Sequence, residues 1–517
     1  MAPPIKSVAI IGAGASGEFP SATIHRRVLY KTHLIQSPGA ASASALAAEG
    51  YFDVIKVFER REEPGGTWIY DAVPPVLKLV PGGLPHDIDP PLAIPEVLPA
   101  TLAPNSQERF TKTPIYDGLT TNVPEIAMSL SDRRFPYGPF VPHWIPKNYI
   151  REYFSLHGDD SLLFLNTTVE DISQIHEKSR GAHNRWRLTL RKHDRTRDVD
   201  EWWQEEFDAV ILGNGHYAVP FVPAVTGLPE FLVNYPGRVI HSKSYRSPKV
   251  YTGKRVLVIG NSASGHDVAD QLVKYEGVHH PVYQSRHSRS LWEGDEPPEG
   301  LVWKPVIDEY KADGTIVFVD GTELGPNDVD VIIYCTGYKP SYPFWNVQQN
   351  GRRLYNYEEN RFEGIFQHTF VRDFPTLGIV GLPRTLTFRS FEYQAIALAR
   401  LWSGRAVLPP VAEQQLWEEE RIAERRHSGK RFHDIEWDTG ETDNYLNFHY
   451  RLAGLPQLDG KGLTPPILNS ATRWALENIK KYPIIRPSPP PDRDANRRAA
   501  EDDWVVIEGV KDSLWYI

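Results

Sequence analysis

A single cysteine, Cys335, stands in a chain of 517 residues. One thiol cannot make an intrachain disulfide, a cysteine-based zinc site or a CxxC redox pair, so disulfide-reductase chemistry is excluded. Long apolar runs are also missing. No stretch of about 18 or more apolar residues occurs, and no membrane span is expected. Basic charge is in deficit, with 57 Lys and Arg against 66 Asp and Glu and a net charge of −9. No basic, aromatic-rich stripe offsets that balance, which argues against nucleic acid as a partner. No short-period repeat, Ser–His–Asp constellation or paired-carboxylate constellation is evident, and no metal site is expected. The first strand-like run begins at Val8, leaving no room ahead of it for a secretory signal peptide, so a soluble cytoplasmic protein is expected.

What is present is ordinary in bulk and specific in detail. Apolar residues make up 41% and charged residues 24%, the balance of a globular enzyme, and the length allows two or three domains. Proline (44) and tryptophan (14) are frequent enough to imply many ordered loops around an α/β core. Two glycine-rich fingerprints occur, Gly12-Ala13-Gly14-Ala15-Ser16-Gly17 and Gly260-Asn261-Ser262-Ala263-Ser264-Gly265. Each follows an apolar run, Val8-Ala9-Ile10-Ile11 and Val256-Leu257-Val258-Ile259. Such glycines let the backbone turn tightly and approach a pyrophosphate at a helix N-terminus, where free N–H groups and the dipole favour phosphate. Two copies in strand–turn–helix context imply two nucleotide cofactors, the layout for passing electrons from a nicotinamide to a flavin.

The residues after each second strand distinguish the two sites. Val54-Ile55-Lys56-Val57-Phe58 ends at Glu59, placed to accept a hydrogen bond from a ribose hydroxyl and to repel a 2′-phosphate. This site suits FAD or NAD. Val282-Tyr283-Gln284 is followed by Ser285-Arg286, with His287 and Arg289 nearby, and a cation there suits the 2′-phosphate of NADP. Further buried strands are expected at Phe207–Gly213, Val329–Tyr334 and Thr376–Gly381, and a helix at Phe391–Ser403. The Pro-rich stretch from Pro74 to Pro104 reads as a surface insertion, Pro220 to Pro236 as a linker, and Pro487 to Arg498 as a mobile or surface-draped tail. The expected fold is α/β with two Rossmann-like dinucleotide-binding domains, the NADP domain inserted into the FAD domain. Residues 1–218 and 337–517 would build the first, and 219–336 the second.

Five further segments carry a family resemblance. They are Tyr235-Pro236-Gly237-Arg238-Val239-Ile240-His241-Ser242-Lys243-Ser244-Tyr245; Tyr116, Leu119, Thr121, Asn122, Pro124 and Met128; Gly65-Gly66-Thr67-Trp68; Cys335-Thr336-Gly337-Tyr338; and Phe391-Glu392-Tyr393-Gln394-Ala395. They resemble, in turn, the FxGxxxHxxxY linker signature, the YxxLxTNxP segment, the GGTW turn, the ATGY crossover and the late flavin-contacting helix of the flavin-containing monooxygenases in their soluble fungal form. The matches run from residue 6 to about residue 409, with Tyr235 in place of the leading Phe. The resemblance implies that NADPH reduces bound FAD and that dioxygen forms a C4a-hydroperoxyflavin. A soft nucleophilic nitrogen or sulfur of a small molecule would then be oxygenated, as in N,N-dimethylaniline monooxygenases. It places Asn122 nearest the reactive flavin. Thr121, Gly66, Trp68, Gln394, Thr336, Gly337 and Tyr338 join the cofactor-binding set with Gly12, Gly14, Gly17, Glu59, Gly260, Ser262, Ser264, Gly265, Ser285 and Arg286. His241 is expected to be hinge architecture, Tyr245 either a packing or a site residue, and Cys335 a packing residue of the crossover. The Baeyer–Villiger relatives end the linker signature with Trp followed by Pro or Asp. Tyr245-Arg246 here favours heteroatom oxygenation, with ketone oxygenation as the alternative.

The first fingerprint is interrupted. Gly17 is followed by Glu18-Phe19-Pro20-Ser21 and a basic stretch before Ala40–Gly50, which reads as the fingerprint helix. Gly17 lies 42 positions before Glu59, where about 20 is usual. Removing residues 18–39, which is 22 residues, restores 20. Gly17-Glu18-Phe19 can be encoded with a splice donor, Pro38-Gly39 with an acceptor, and Leu34-Ile35 with a branch point. The segment therefore reads as a translated intron, a genuine surface insertion being the other possibility. If the insertion abolished FAD binding, the product would be a non-catalytic NADP(H)-binding protein.

Overall fold

The computed structural model describes residues 4–13, 38–131, 133–157, 159–176, 184–290, 292–383, 385–386, 388–437 and 439–482. Gly14, Gly17, residues 18–37 of the interrupting segment and the Pro487–Arg498 tail lie outside the described residues.

Two sheets, one mostly parallel and one wholly parallel, organise the chain. The larger has seven strands in the order Ile365–Phe366, Phe370–Val371, Leu377–Ile379, Ala209–Leu212, Ser7–Ile11, Val54–Phe58 and Leu163–Phe164, the last five mutually parallel. Val8–Ile11 and Ala209–Leu212, at its centre, are apolar at every position because both faces are covered, as a parallel sheet requires. Val8 and Ile10 face the helices Pro38–Glu49 and Phe388–Trp402, whereas Ala9 and Ile11, with their strand partners Val210 and Leu212, face Trp186 on the other side. Trp186 belongs to a four-stranded antiparallel sheet, Ala100–Leu102, Val199–Phe207, Arg185–Asp194 and Thr167–Ile175, packed on that second face.

The smaller sheet is wholly parallel: Val239–His241, Val331–Tyr334, Arg255–Ile259, His279–Ser285 and Leu301–Lys304. All its strands lie between strands of the larger sheet along the chain. The chain enters and leaves through one antiparallel ladder, in which Val219–Pro220 pairs with Tyr338–Lys339. The architecture is α/β with two dinucleotide-binding units.

Three segments differ from their sequence reading. The 74–104 stretch is more than a surface loop. Its Leu79 packs on the core of the smaller unit, Gly82 N–H donates to Val222 O at 2.8 Å, and Asp89 accepts from Ser341 Oγ at 2.7 Å. Local composition shows proline but not these distant partners. The 220–236 linker contains a helix, Leu228–Asn234, with proline in its first turn where the missing N–H costs nothing. The helix expected at Phe391–Ser403 begins at Phe388. Among the described residues no helix is long and apolar enough to cross a membrane, and no cluster of His, Cys, Asp or Glu has the makings of a metal site.

Candidate active site

The two fingerprint strands end in the same geometry. Gly12 N–H donates to Phe58 O and Gly260 N–H donates to Ser285 O, both at 2.8 Å. Both glycines have left-handed φ, 95° and 103°. A Cβ on Gly12 would lie 2.7 Å from Gly213 O, and one on Gly260 would lie 2.8 Å from Cys335 O. Neither position admits a side chain, so both leave the open cradle a pyrophosphate needs. Cys335 thus supports the second cradle from below, and burial pushes its thiol up to about 12, which suits a packing role.

Strand register makes Glu59 and Arg286 equivalents, each following the residue that accepts from its fingerprint glycine. Glu59 is 5% exposed; its carboxylate accepts from Ala13 N and from Arg61 N, each at 2.9 Å. Arg286 lies over the Trp303 ring at 3.6 Å and donates to Glu293 at 2.5 Å. A cavity of about 350 Å³ beside it is lined by Arg286, His287, Ser288, Arg289, Trp303 and Lys304. An acid at the first position and a basic cavity at the second fit FAD and NADPH respectively. Lys304 and Trp303 escaped the sequence reading because they arrive through parallel pairing with Ser285 and Gln284. Ser285 itself donates its hydroxyl to Pro305 O at 2.7 Å. Ser262 is the N-cap residue of the second fingerprint helix, Ala263–Lys274, which carries Ser264 and the buried Gly265. Glu293 also accepts from Asn261 Nδ2 at 3.0 Å and Ser290 N at 2.8 Å, closing the loop around the cradle.

Segments at the first site are held by backbone partners. Gly66–Trp68 forms a single 3₁₀ turn, with Trp68 edge-on to Phe388. Thr121 is buried between Val141 N and Val141 O, and Asn122, next in the chain, is exposed. Gln394 is fully buried. Its Oε1 accepts from Gly381 N at 3.0 Å, and its Nε2 donates to Thr369 Oγ1 at 2.8 Å and Ile379 O at 3.2 Å. With both ends of its amide engaged, Gln394 positions the Gly381 turn rather than opening onto a cavity.

The linker signature ties the two units together. Gly337 O accepts from Phe221 N and from His241 Nε2, both at 3.0 Å, and Thr336 Oγ1 donates to Phe221 O at 2.5 Å. Since Nε2 donates, Nδ1 of His241 accepts from Lys243 N. Burial drives this imidazole down to about 3, so it is a neutral crossover pin that also packs edge-on against Tyr338. Arg246 donates to the carbonyls of Asp71, Lys243, Tyr245 and Thr113. Tyr245 is fully buried between Tyr116 and Tyr251, its hydroxyl on Gln271 at 3.1 Å. Tyr116 in turn donates to Asp267 of the second fingerprint helix at 2.6 Å. The Tyr116–Asn122 segment therefore runs from the second fingerprint helix, at Asp267, to Thr121 beside Val141.

Known proteins are similar to this chain in sequence and fold. A Flavin-containing monooxygenase, iboF, of Amanita muscaria (strain Koide BX008) is 27% identical over 483 residues, covering 83% of this chain and 84% of its own. The structure of S-allyl-L-cysteine S-oxygenase from Allium sativum superposes with a TM-score of 0.64 at 25% identity, covering 87% of this chain and 88% of that one. A closed cyclohexanone monooxygenase structure shares the fold, with a TM-score of 0.52 at 14% identity over 86% of this chain and 97% of that one. FAD and NADPH, the cofactors of this family, match the two sites. With the flavin-binding monooxygenase-like pattern matched over residues 104–282 and 299–455, most of its length, the chain belongs to the flavin-binding monooxygenase family.

Proposed function

We propose that the chain is an NADPH- and dioxygen-dependent monooxygenase that oxygenates a soft nucleophilic nitrogen or sulfur of a small molecule, in the manner of N,N-dimethylaniline monooxygenases. The flavin, when bound, supplies the activation of dioxygen, and the protein positions the reactants and keeps water away. Residues 1–218 and 337–517 form the flavin domain and 219–336 the NADPH domain. Gly12, Glu59, Gly66, Trp68 and Thr121 serve FAD. Gln394 serves it indirectly through Gly381. Gly260, Ser262, Ser264, Gly265, Ser285 and Arg286 serve NADPH, and Thr336, Gly337 and Tyr338 form the crossover between the two. Asn122 is the catalytic residue: its amide can both donate and accept at the reacting oxygen or the nicotinamide ribose. The protein acts in the cytoplasm.

The observation that carries the heteroatom reading is the Tyr245-Arg246 pair. Tyr245 is locked in an aromatic stack, and Arg246 binds four backbone carbonyls where the ketone-oxygenating relatives place Pro or Asp. Neither Pro nor Asp could supply those donors. The Allium sativum relative is an S-oxygenase, and oxygen transfer to sulfur there supports the same class here. The test is NADPH consumption with a panel of amines, thioethers and cyclic ketones, with products and hydrogen peroxide measured together. N-oxides, hydroxylamines or S-oxides formed without matching peroxide are expected. Lactones from ketones alone would transfer the chain to the Baeyer–Villiger class, and peroxide equal to NADPH consumed with every compound would refute oxygenation of this panel.

A further inference from the structure

The first fingerprint has the wrong third glycine if it is read along the chain. In a dinucleotide unit that glycine lies where the helix crosses its own strand, so closely that a Cβ would strike the backbone of the first glycine. In the second unit Gly265 does this: a Cβ there would fall inside contact distance of Gly260 O and only 2.6 Å from Gly260 C. In the first unit Gly39 does the same. A Cβ on Gly39 would fall inside contact distance of Gly12 O, 2.9 Å from Ala13 Cα and 3.1 Å from Gly12 C.

The surroundings of Gly39 complete the cradle. The helix Pro38–Glu49 begins one residue before it, as a proline at a helix start allows. A Cβ on Gly213, which follows Ala209–Leu212, would lie 3.3 Å from Pro38 Cβ and 3.6 Å from Gly39 N. A Cβ on Gly381, just beyond Leu377–Ile379, would lie 3.0 Å from Pro38 Cγ. Three glycine turns at the ends of three neighbouring parallel strands thus converge on the start of this one helix. Spacing agrees with the geometry. Gly39 precedes Glu59 by 20 positions, and Gly265 precedes the equivalent Arg286 by 21. Gly12 and Gly39 are 27 positions apart, against 5 between Gly260 and Gly265. The excess is 22 residues, the length that also separates Gly17 from Gly39.

We propose that Gly39, and not Gly17, is the third glycine of the FAD fingerprint, and that the 22 residues 17–38 are an addition, of which Pro38 is the one described residue and borders the cradle only as the first residue of the helix. Joining Ser16 to Gly39 recreates Gly-Ala-Gly-Ala-Ser-Gly followed by Ala40, the contiguous fingerprint that a spliced transcript would encode. The proposal rests on FAD belonging to the first unit and is independent of which substrate is oxygenated.

The test compares the full chain with a shortened chain lacking residues 17–38, and adds Gly39→Val to each. Flavin retained through purification is read from visible absorbance, and the FAD affinity of each apoprotein from quenching of flavin fluorescence. NADP⁺ affinity reports whether the second unit is folded. The shortened chain is expected to hold FAD at least as tightly as the full chain. Gly39→Val is expected to weaken FAD at least about tenfold in both contexts while NADP⁺ affinity stays unchanged, because it obstructs the pyrophosphate cradle alone. Sequencing of the transcript is expected to show a major message without the codons for the 22 residues. A shortened chain that is insoluble, or that loses FAD which the full chain keeps, overturns the proposal. So does a Gly39→Val variant with undiminished FAD affinity. If Gly39→Val also destroys NADP⁺ binding, Gly39→Ala replaces it, and unchanged FAD affinity in that variant counts against the assignment equally.

Discussion

Glu125 shows how one residue carries a measurable consequence of where the chain puts it. It is 2% exposed, and neither carboxylate oxygen has a hydrogen-bond partner among the described residues. Burial pushes its carboxyl up to about 7, with Arg134 and Arg389 pulling partly the other way. The folded chain thus keeps a proton that the unfolded chain gives up near 4.5. That stabilising contribution is full below the unfolded value and is lost as pH rises through about 7. Glu125→Gln is expected to raise stability at pH 8 by about 1–3 kcal/mol and to change little at pH 5, read as thermal unfolding at both values. A variant equally shifted at both pH values would contradict this assignment. Residue type and motif position announced Glu59, Arg286 and Asn122 as site candidates. They did not announce Lys304, Trp303 or Glu293, whose roles exist only because a strand and a loop from further along the chain close over the same cavity.

Among the secondary-structure elements, the helix Pro38–Glu49 is the piece that packs on the first fingerprint turn, through Gly39 against Gly12. Its sequence is nearly all Ala, Ser and Gly, which allows close approach to Phe388–Trp402 but supplies little apolar side-chain area of its own. Its far end is pinned instead by charge. Glu49 is fully enclosed, pairs with Arg400 and Arg405, and accepts from Ser403 Oγ at 2.9 Å. Arg400 Nη2 also donates to Leu463 O at 2.5 Å. Removing one partner of such a buried cluster leaves the other charge uncompensated. Glu49→Ala is therefore expected to cost about 3–5 kcal/mol. Because the same helix starts at Pro38 and Gly39, the variant should also release flavin on dilution faster than the unmodified chain. Unfolding and flavin release measured side by side check both parts, and a stability loss under about 1 kcal/mol would mean that the cluster is not the anchor. A helix over Ala40–Gly50 was readable from the sequence. Its buried ion cluster was not, since the partners lie more than 350 positions away.

Across the molecule as a unit, Asp267 joins parts that are far apart in sequence. It sits on the second fingerprint helix and accepts from Tyr116 at 2.6 Å, from Lys481 at 3.0 Å and from Tyr482 at 2.7 Å. Tyr482 lies against Trp292 and His266, and Lys481 reaches Thr120 O at 3.4 Å. One carboxylate thus links the Tyr116–Asn122 segment, the unit of the smaller sheet and residues 481–482. Asp267→Ala is expected to leave each unit folded but to loosen their mutual placement. The NADPH KM should rise about tenfold, with more hydrogen peroxide released per NADPH, as misplacement of reactants predicts. Hydrogen exchange should quicken in residues 116–122. Wild-type coupling and exchange in the variant would show that the clasp does not hold the units together.

Residue order alone was enough to indicate the α/β class with two dinucleotide-binding units and the family to which the chain belongs, and to single out Glu59 and Arg286 as candidates for distinguishing the two sites. It could do so because strand–glycine–helix signals are local and their backbone demands are written in residue type. It also exposed the interruption after Gly17, since spacing is countable. Which glycine closes the first cradle became legible only in three dimensions. The Cβ-free contact with Gly12 is a distance in space, and Gly39 meets it from 27 positions away. The Arg286–Trp303–Lys304 cavity, the saturated amide of Gln394 and the Asp267 clasp have the same cause. Each depends on which distant backbone the sheet register and helix packing bring alongside, and no local pattern records that.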